Sequence, residues 1–359
     1  MSPENQAPRP QRSLIQRFSD SDPTIVLLII LIALSLTIFG LISPHLFFSF
    51  DTVRAMAFQM PELGLLSLAM MVPLMSGGLN LAIIATANLV ALVVAALVTN
   101  LIHPSSPPQT IAFAIVVALT AGVITGLVIG LVTGIVVAFF RVHPILVTLG
   151  TMTLVKGIAV ATTHGTVIGG FPPIILFVGN GTLLGIPVSI IIFVLCSIAI
   201  AMIMSHTPFG VAVRMIGSNE AATRYSGVDT ARVLVGVYVL SSLLCCVAAL
   251  VMMARFNSAR AGYAESYLLI TILASVLGGI DPFGGFGKVL GLLLSILLLQ
   301  VISTGFNLLG LSPHLTEAIW GATLILAILI ALIRNRWTIR RRSSRLFSPK
   351  QETVSQPAK

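Results

Sequence analysis

Long apolar runs recur along the chain, parted by short polar or Gly/Pro-bearing breaks. Ten of them, at 25–47, 53–75, 80–100, 111–139, 144–164, 185–204, 232–254, 267–279, 289–309 and 315–333, are predicted as membrane-crossing helices. Most approach the ~20 residues that an α-helix needs to cross a hydrocarbon core of about 30 Å. A barrel would instead show short alternating segments. The expected fold class is all-α: a polytopic membrane protein of about ten transmembrane helices. The segments 144–164 and 267–279 are awkward in length or polarity and are read as tilted, broken or re-entrant, so eight crossings also satisfy the pattern. The breaks LIHPSSPPQT (101–110) and GTVIGGFPPIILFVGNGT (165–182) are rich in Pro and Gly and predict loops or short interfacial helices.

Composition agrees: 57% of the 359 residues are hydrophobic and 9% charged, against roughly 25% charged in a soluble domain. The net charge of +9 does not point to nucleic acid, because Arg334, Arg336, Arg340, Arg341, Arg342 and Arg345 crowd just after the last apolar run. With the N-terminal tail inside and the runs alternating, Arg141, the 205–231 segment, Lys288 and the basic C-terminus fall on that same side. Only Arg54, Arg255 and Arg260 fall outside, and both termini are therefore expected in the cytoplasm. The expected organisation is a cytoplasmic tail (1–24) lacking a cleavable leader, one transmembrane domain (25–333) and a basic cytoplasmic tail (334–359). No segment is long enough for a soluble catalytic domain.

Candidate chemistry is sparse. Cys196, Cys245 and Cys246 lie within apolar runs and read as buried thiols. H-E-x-x-H, G-x-S-x-G and clustered metal ligands are absent, so neither enzyme nor metal site is expected. Gly122, Gly126, Gly130 and Gly134 bare one face of the fourth run for close helix packing, or for sliding. Two Gly-Gly turns, MSGGLNLA (75–82) and LGGIDPFGGFGKVLG (277–291), sit where one run yields to the next. The second lacks the G-x-x-x-x-G-K-[ST] spacing of a nucleotide loop. Ionisable residues inside runs are Glu62, Lys156 and Glu317, each a pathway or pairing candidate because charge is costly in hydrocarbon. Lys156 can also snorkel and Glu317 lies near a run end. Asn80, Asn88, Thr148, Thr151, Gln300 and Asn307 either line a path for a hydroxylated solute or bond across helices.

The stretch MIGSNEAATRYSGVDTARV (215–233) breaks the apolar pattern most sharply. Ser218 or Asn219 can cap a helix, Glu220 suits its first turn, and Gly227 can end it in a left-handed conformation. A short amphipathic helix of about two turns is predicted, with Ala221, Ala222 and Tyr225 on one face and Glu220, Thr223 and Arg224 elsewhere. It suits either docking of a partner or an ordinary surface loop.

GSNEAATRYSGV resembles the cytoplasmic loop of the permease subunits of ribose-type (simple-sugar) bacterial ABC importers. SGGLNLA, HPILVTLGTMTLVKGIA and VLGGIDPFGGFGKVLG resemble three further segments of that family in the same order, from about residue 60 to 330. The resemblance implies a multi-pass subunit of the bacterial inner membrane that pairs with itself or a similar permease. It also implies a separate ATPase that binds the ATP and Mg, so that this chain is no enzyme and has no cofactor, and a periplasmic sugar-binding protein that feeds it. It implies that Gly217, Ser218, Asn219, Glu220, Ala221, Ala222, Arg224 and Gly227 form the helix that couples to the ATPase. Path candidates are Glu62, Gly77, Gly78, Asn80, Thr148, Thr151, Lys156, Gly278, Gly279 and Asn307. Arg255, Arg260 and Glu265 are candidates for docking the binding protein, or are solvated loop residues. Asn80 departs from the family's usual acid, which hints at a non-identical partner, and Lys156 stands where arginine is common. The expected cargo is a monosaccharide or polyol, with autoinducer-2 the alternative. An ion-coupled secondary transporter is the rival class, with Glu62 as its carboxylate.

Overall fold

The computed structural model describes residues 23–102, 107–312, 314–326 and 329. The N-terminal tail, all but its last two residues, and the basic C-terminal tail lie outside them. Eight helices among the described residues are long and apolar enough to cross a membrane: α1 (Pro23–Ile42), α3 (Phe50–Met75), α4 (Ile83–Leu101), α5 (Pro108–Phe139), α6 (Pro144–Thr163), α8 (Val188–His206), α11 (Thr230–Phe256) and α13 (Val289–Leu308). The short helices are α2 (Pro44–Phe47), α7 (Pro173–Asn180), α9 (Pro208–Ser218), α10 (Glu220–Tyr225) and α12 (Tyr267–Leu277). The tenth expected run is helical over 314–326, and part of it lies outside the described residues.

Of the two awkward segments, 144–163 is an unbroken helix, while Tyr267–Leu277 has 11 residues, about 16 Å at 1.5 Å per residue and so too short to cross alone. Two two-stranded ladders complete the fold. Ile168–Gly169 (β1) pairs antiparallel with Ser258–Ala259 (β4), and Thr182–Leu183 (β2) with Ile186–Pro187 (β3).

α3, α4 and α11 form the buried centre, with α5, α8, α12 and α13 packed round it and α1 on the flank. The glycine stripe explains the close pairing of α5 and α11. A Cβ at Gly130 would stand 2.8 Å from Ser242 Oγ and one at Gly134 2.9 Å from Val235 Cα, so only a bare face lets these helices meet. Gly126 faces the thiol of Cys246 in the same way, and Gly122 faces Val94 of α4. The three cysteines are free thiols, and Cys245 and Cys246 are buried.

Both Gly-Gly turns are helix stops closed by one hydrogen-bond pattern. At the end of α3, Gly77 N–H donates to Leu74 O and Gly78 N–H to Pro73 O. At the end of α12, Gly279 N–H donates to Val276 O and Ile280 N–H to Ser275 O, all at 3.0–3.1 Å. This crossed closure needs a left-handed residue just past the helix, and Gly77 and Gly279 both have φ +82°.

Candidate functional site

The polar stretch at 215–233 folds as its residues demand. Asn219 caps α10, its Oδ1 accepting from Ala222 N–H at 2.9 Å, and Gly227 follows the helix at φ +82°. Glu220 lies in the first turn and Arg224 in the last, each at the pole of the helix dipole that favours its charge. Thr223 is the residue turned inward, whereas Glu220, Ala221, Ala222 and Arg224 are exposed and Tyr225 is 93% exposed. The expected apolar face is thus presented outward.

α9, which precedes α10, had an unread signal. Thr207 accepts from Gly210 N–H, and Pro208 takes the first helical position, where a missing N–H costs nothing. α9 and α10 enclose a groove of about 390 Å3 lined by Arg214, Met215, Asn219 and Ala222 among others.

This helical pair is joined to the membrane bundle backbone to backbone. Gly285 N–H donates to Met75 O, the last residue of α3, at 2.9 Å. Gly217 is wedged against the Met75 carbonyl and the Gly285 amide, and a Cβ there would collide with both. A Cβ at Gly284 would lie 2.8 Å from the Cα atoms of both Gly77 and Gly217. Three motifs far apart in sequence, at 75–82, 215–227 and 277–291, therefore meet at one glycine contact. The sequence expectation for this end of the bundle is the cytoplasmic side.

The path candidates divide. Gly77 belongs to this contact, and Gly278 packs against the backbone of Gly291 and Leu292. Gly78 faces Pro144 and the Tyr238 hydroxyl, and Gly279 faces Thr24. Thr148 donates to Leu79 O and Pro144 O, Thr151 to Val147 O, and Asn307 is exposed.

Asn80 is buried between helices. Its Oδ1 accepts from Ala82 N–H at 3.1 Å and its Nδ2 donates to Ser241 Oγ at 2.9 Å, while Ser241 donates to Ala69 O at 2.7 Å. Pro73, four residues after Ala69 in α3, has no N–H for that carbonyl, so Ser241 supplies the missing donor. An aspartate at 80 has no N–H to offer Ser241, so asparagine suits this chain's own network. Ser241 was not legible as functional, since a serine in an apolar run gives no sign of which carbonyl it meets.

The ionisable candidates pair across the groups to which the sequence assigns them. Glu62, a fully buried path candidate, has Oε1 2.8 Å from Nη1 of Arg255, a docking candidate. Lys156, another path candidate, has Nζ 2.8 Å from Oε1 of Glu265, a docking candidate, both side chains being about half exposed. Arg255 also lies over the Phe256 ring at 5.2 Å. Arg260 is exposed. Around them the outer loops are sewn to the bundle: Asn88 of α4 donates to Ala261 O and Tyr263 O, Asn180 of α7 to Ala254 O, and Asn257 accepts from Phe171 N–H. Gln300 bonds Gln59 across α13 and α3, and Glu317 lies in the 314–326 helix.

Known proteins bear on this arrangement. The family model described as "Branched-chain amino acid transport system / permease component" matches residues 53–328. The "Autoinducer 2 import system permease protein LsrD" of Yersinia enterocolitica is 36% identical over 221 residues, which are 58% of this chain and 66% of that relative. Its namesake in Photorhabdus temperata is 34% identical over 224 residues, 59% of this chain and 67% of the relative. The matched stretch thus spans about two thirds of the length of these relatives. No solved structure matches. With 276 consecutive residues covered by the family model and the helical bundle described above, the chain belongs to the family of multi-pass membrane permeases described as the permease component of the branched-chain amino acid transport system.

Proposed function

We propose that the chain is the transmembrane permease subunit of a bacterial inner-membrane ABC importer, with α10 seated on a separate ATP-hydrolysing subunit and the Arg255 end facing a soluble binding protein. The observation that carries this is the construction of the Gly217 end. A capped short helix with an exposed Ala222–Tyr225 face follows directly on α9, whose Gly217 packs backbone to backbone against the end of α3 and the loop before α13. A partner that shifts α10 therefore moves α3 and α13, and alternating access follows if the ATPase has two states that grip α10 differently. The functional dimer is formed with a second copy or a similar permease. Since Asn80 is accounted for within the chain, its departure from the family pattern gives no reason to require a non-identical one.

The solute we propose is a small uncharged sugar or polyol. Among the described residues, the buried polar side chains of the bundle are hydroxyls and amides, apart from Glu62, which is paired with Arg255. The names of the two relatives favour autoinducer 2 as the member of this class to test first. An ion-coupled carrier needs a carboxylate able to bind and release its ion within the membrane. Glu62 is held by Arg255, which counts against that reading.

The test is uptake into proteoliposomes containing the permease, its ATPase and its binding protein. Glu220→Ala with Arg224→Ala is expected to weaken ATPase association and transport while insertion in the membrane is unchanged. Transport at the wild-type rate in that variant sinks the coupling role, and uptake without the ATPase establishes the carrier.

A further inference from the structure

The loop after β4 turns back into the bundle. α12 ends in the Gly278–Gly279 turn of the loop that makes the Gly217 contact, and its 11 residues rise only about 16 Å from there. Glu265, just before α12, is joined to its first turn, Leu268 N–H donating to Glu265 O at 3.3 Å. Lys156, the ion-pair partner of Glu265, follows Pro144 by a stretch of α6 about 18 Å long, and Pro144 lies against Gly78 at the same end of the bundle. Two separate helices thus place the pair at one height, about halfway through a hydrocarbon core of about 30 Å. The backbone of the loop follows the same course, since Asn88, within the span α4, donates to Ala261 O and Tyr263 O.

What stands at that height is open. The Lys156 and Glu265 side chains are about half exposed, and so is non-helical backbone, at the exposed Gly262. Thr153, Gly157, Val160 and His164 share the Lys156 face of α6, and all are exposed. A Cβ added at Gly157 would meet nothing within 4 Å. Hydrocarbon tolerates neither a charged pair nor irregular backbone at such a depth, and both are found where water reaches. Snorkelling offers no escape, because Lys156 Nζ is held 2.8 Å from a carboxylate at its own height. The exposed surface of α5 is different: Val128, Leu131, Val132 and Ile135 give lipid an apolar face.

We propose that the Lys156 face of α6 lines a water-filled vestibule, open at the Arg255 end and reaching about halfway through the membrane, which is the outer half of the solute's path. That it is a path rests on the importer reading above, whereas that it holds water rests on the ion pair and the backbone alone. An uncharged, hydroxylated solute entering it meets an ammonium donor and a carboxylate acceptor side by side at the floor.

The experiment uses the full chain in spheroplasts, with Cys196, Cys245 and Cys246 changed to Ala and one cysteine introduced at a time. Charged thiosulfonates that do not cross membranes are added outside. Gly157→Cys is expected to react, and Val128→Cys is not. Cationic and anionic reagents should modify Gly157→Cys at similar rates, because the paired charges cancel. Adding Lys156→Gln should favour the cationic reagent by about threefold, the effect of a unit charge at about 6 Å in water, and Glu265→Gln the anionic one by about as much. If Gly157→Cys fails to insert, Thr153→Cys on the same face takes its place. An unreactive cysteine in the inserted protein overturns the vestibule, and oxidation that joins two chains through it shows a dry face covered by a second copy. Equal reaction at Val128→Cys overturns it too, since the water then has no preferred face. Labelled Gly157→Cys permease, assembled with its ATPase and binding protein, is expected to lose most of its uptake of autoinducer 2. Uptake at the unlabelled rate overturns the path. Absence of uptake before labelling counts against the importer reading instead, and the reactivity then decides the vestibule by itself.

Discussion

At the Gly217 end of the bundle, α9 meets α3 and the loop before α13 largely through backbone atoms, with the small Ser218 side chain against Gly285. At the Arg255 end, α3 meets the end of α11 through a carboxylate and a guanidinium, and α6 meets the loop after β4 through an ammonium and a carboxylate. Backbone contact of the first kind has one fitted arrangement, and anything larger than hydrogen breaks it. Side-chain ion pairs can part and re-form as their surroundings change. The difference sets an end whose close backbone contact can pass on a displacement against one where a buried ion pair and a half-exposed one stand side by side. If α10 is driven from outside the membrane, the glycine contact carries the motion inward, and the charged end is where the bundle can respond.

The largest expected effect is at the buried charge. Arg255→Ala leaves Glu62 fully buried and uncompensated, a loss of about 3–5 kcal/mol by the usual cost of breaking such a pair. Glu62→Gln together with Arg255→Gln should recover much of that loss. Thermal unfolding in detergent measures both. If the double variant is no more stable than Arg255→Ala, the two residues are not a unit and the contrast between the ends fails on this side.

Next comes Gly217→Val, which drives a branched side chain into the Met75 carbonyl and the Gly285 amide. Overpacking of this kind costs about 1–3 kcal/mol. Its sharper readout is coupling: ATP hydrolysis by the assembled importer should persist while solute uptake falls. Gly227→Ala supplies the comparison, because a Cβ there meets open space and the strain is only that of φ +82°. Equal loss of uptake in the two variants would remove the special role of the Gly217 contact. Asn219→Ala ranks below both, at about 1 kcal/mol for a lost N-cap, and is expected to weaken ATPase binding without displacing α9.

Much of the α10 stretch was legible in sequence because its signals are local. Asn219, Glu220 and Gly227 act on N–H groups and dihedrals within a few residues, and each is found in the role its chemistry assigned. The spans were legible for the same reason, since apolar length fixes them. Contacts made between distant segments were not. Nothing at Gly217 announces that Gly284 and Met75 will meet it, and nothing at Glu62 announces Arg255, 193 positions later. The assignment of Glu62 and Lys156 to a path followed from their places inside apolar runs, and that of Arg255 and Glu265 to a docking surface from their place in an outer loop, whereas the fold pairs one of each. Asn80 shows the same limit: its departure from the family pattern becomes intelligible only once Ser241, Ala69 and Pro73 are seen together.

The smallest effect belongs to Lys156 and Glu265, and it refines the comparison most. Both side chains are about half exposed, so the 2.8 Å contact is screened and contributes at most about 1 kcal/mol. Lys156→Gln should therefore leave thermal stability nearly unchanged, in contrast to Arg255→Ala at the same end. A pair that contributes so little to stability is easily exchanged, and a charged binding protein arriving at this face offers Glu265 or Lys156 a new counter-charge. The expected outcome is a fall in the association rate of the binding protein with Lys156→Gln, largest at low ionic strength, with the unfolding temperature preserved. If stability falls and association does not, the pair belongs with Glu62 and Arg255 as part of the bundle's construction, and the exchangeable contacts of this end must lie at Arg260 instead.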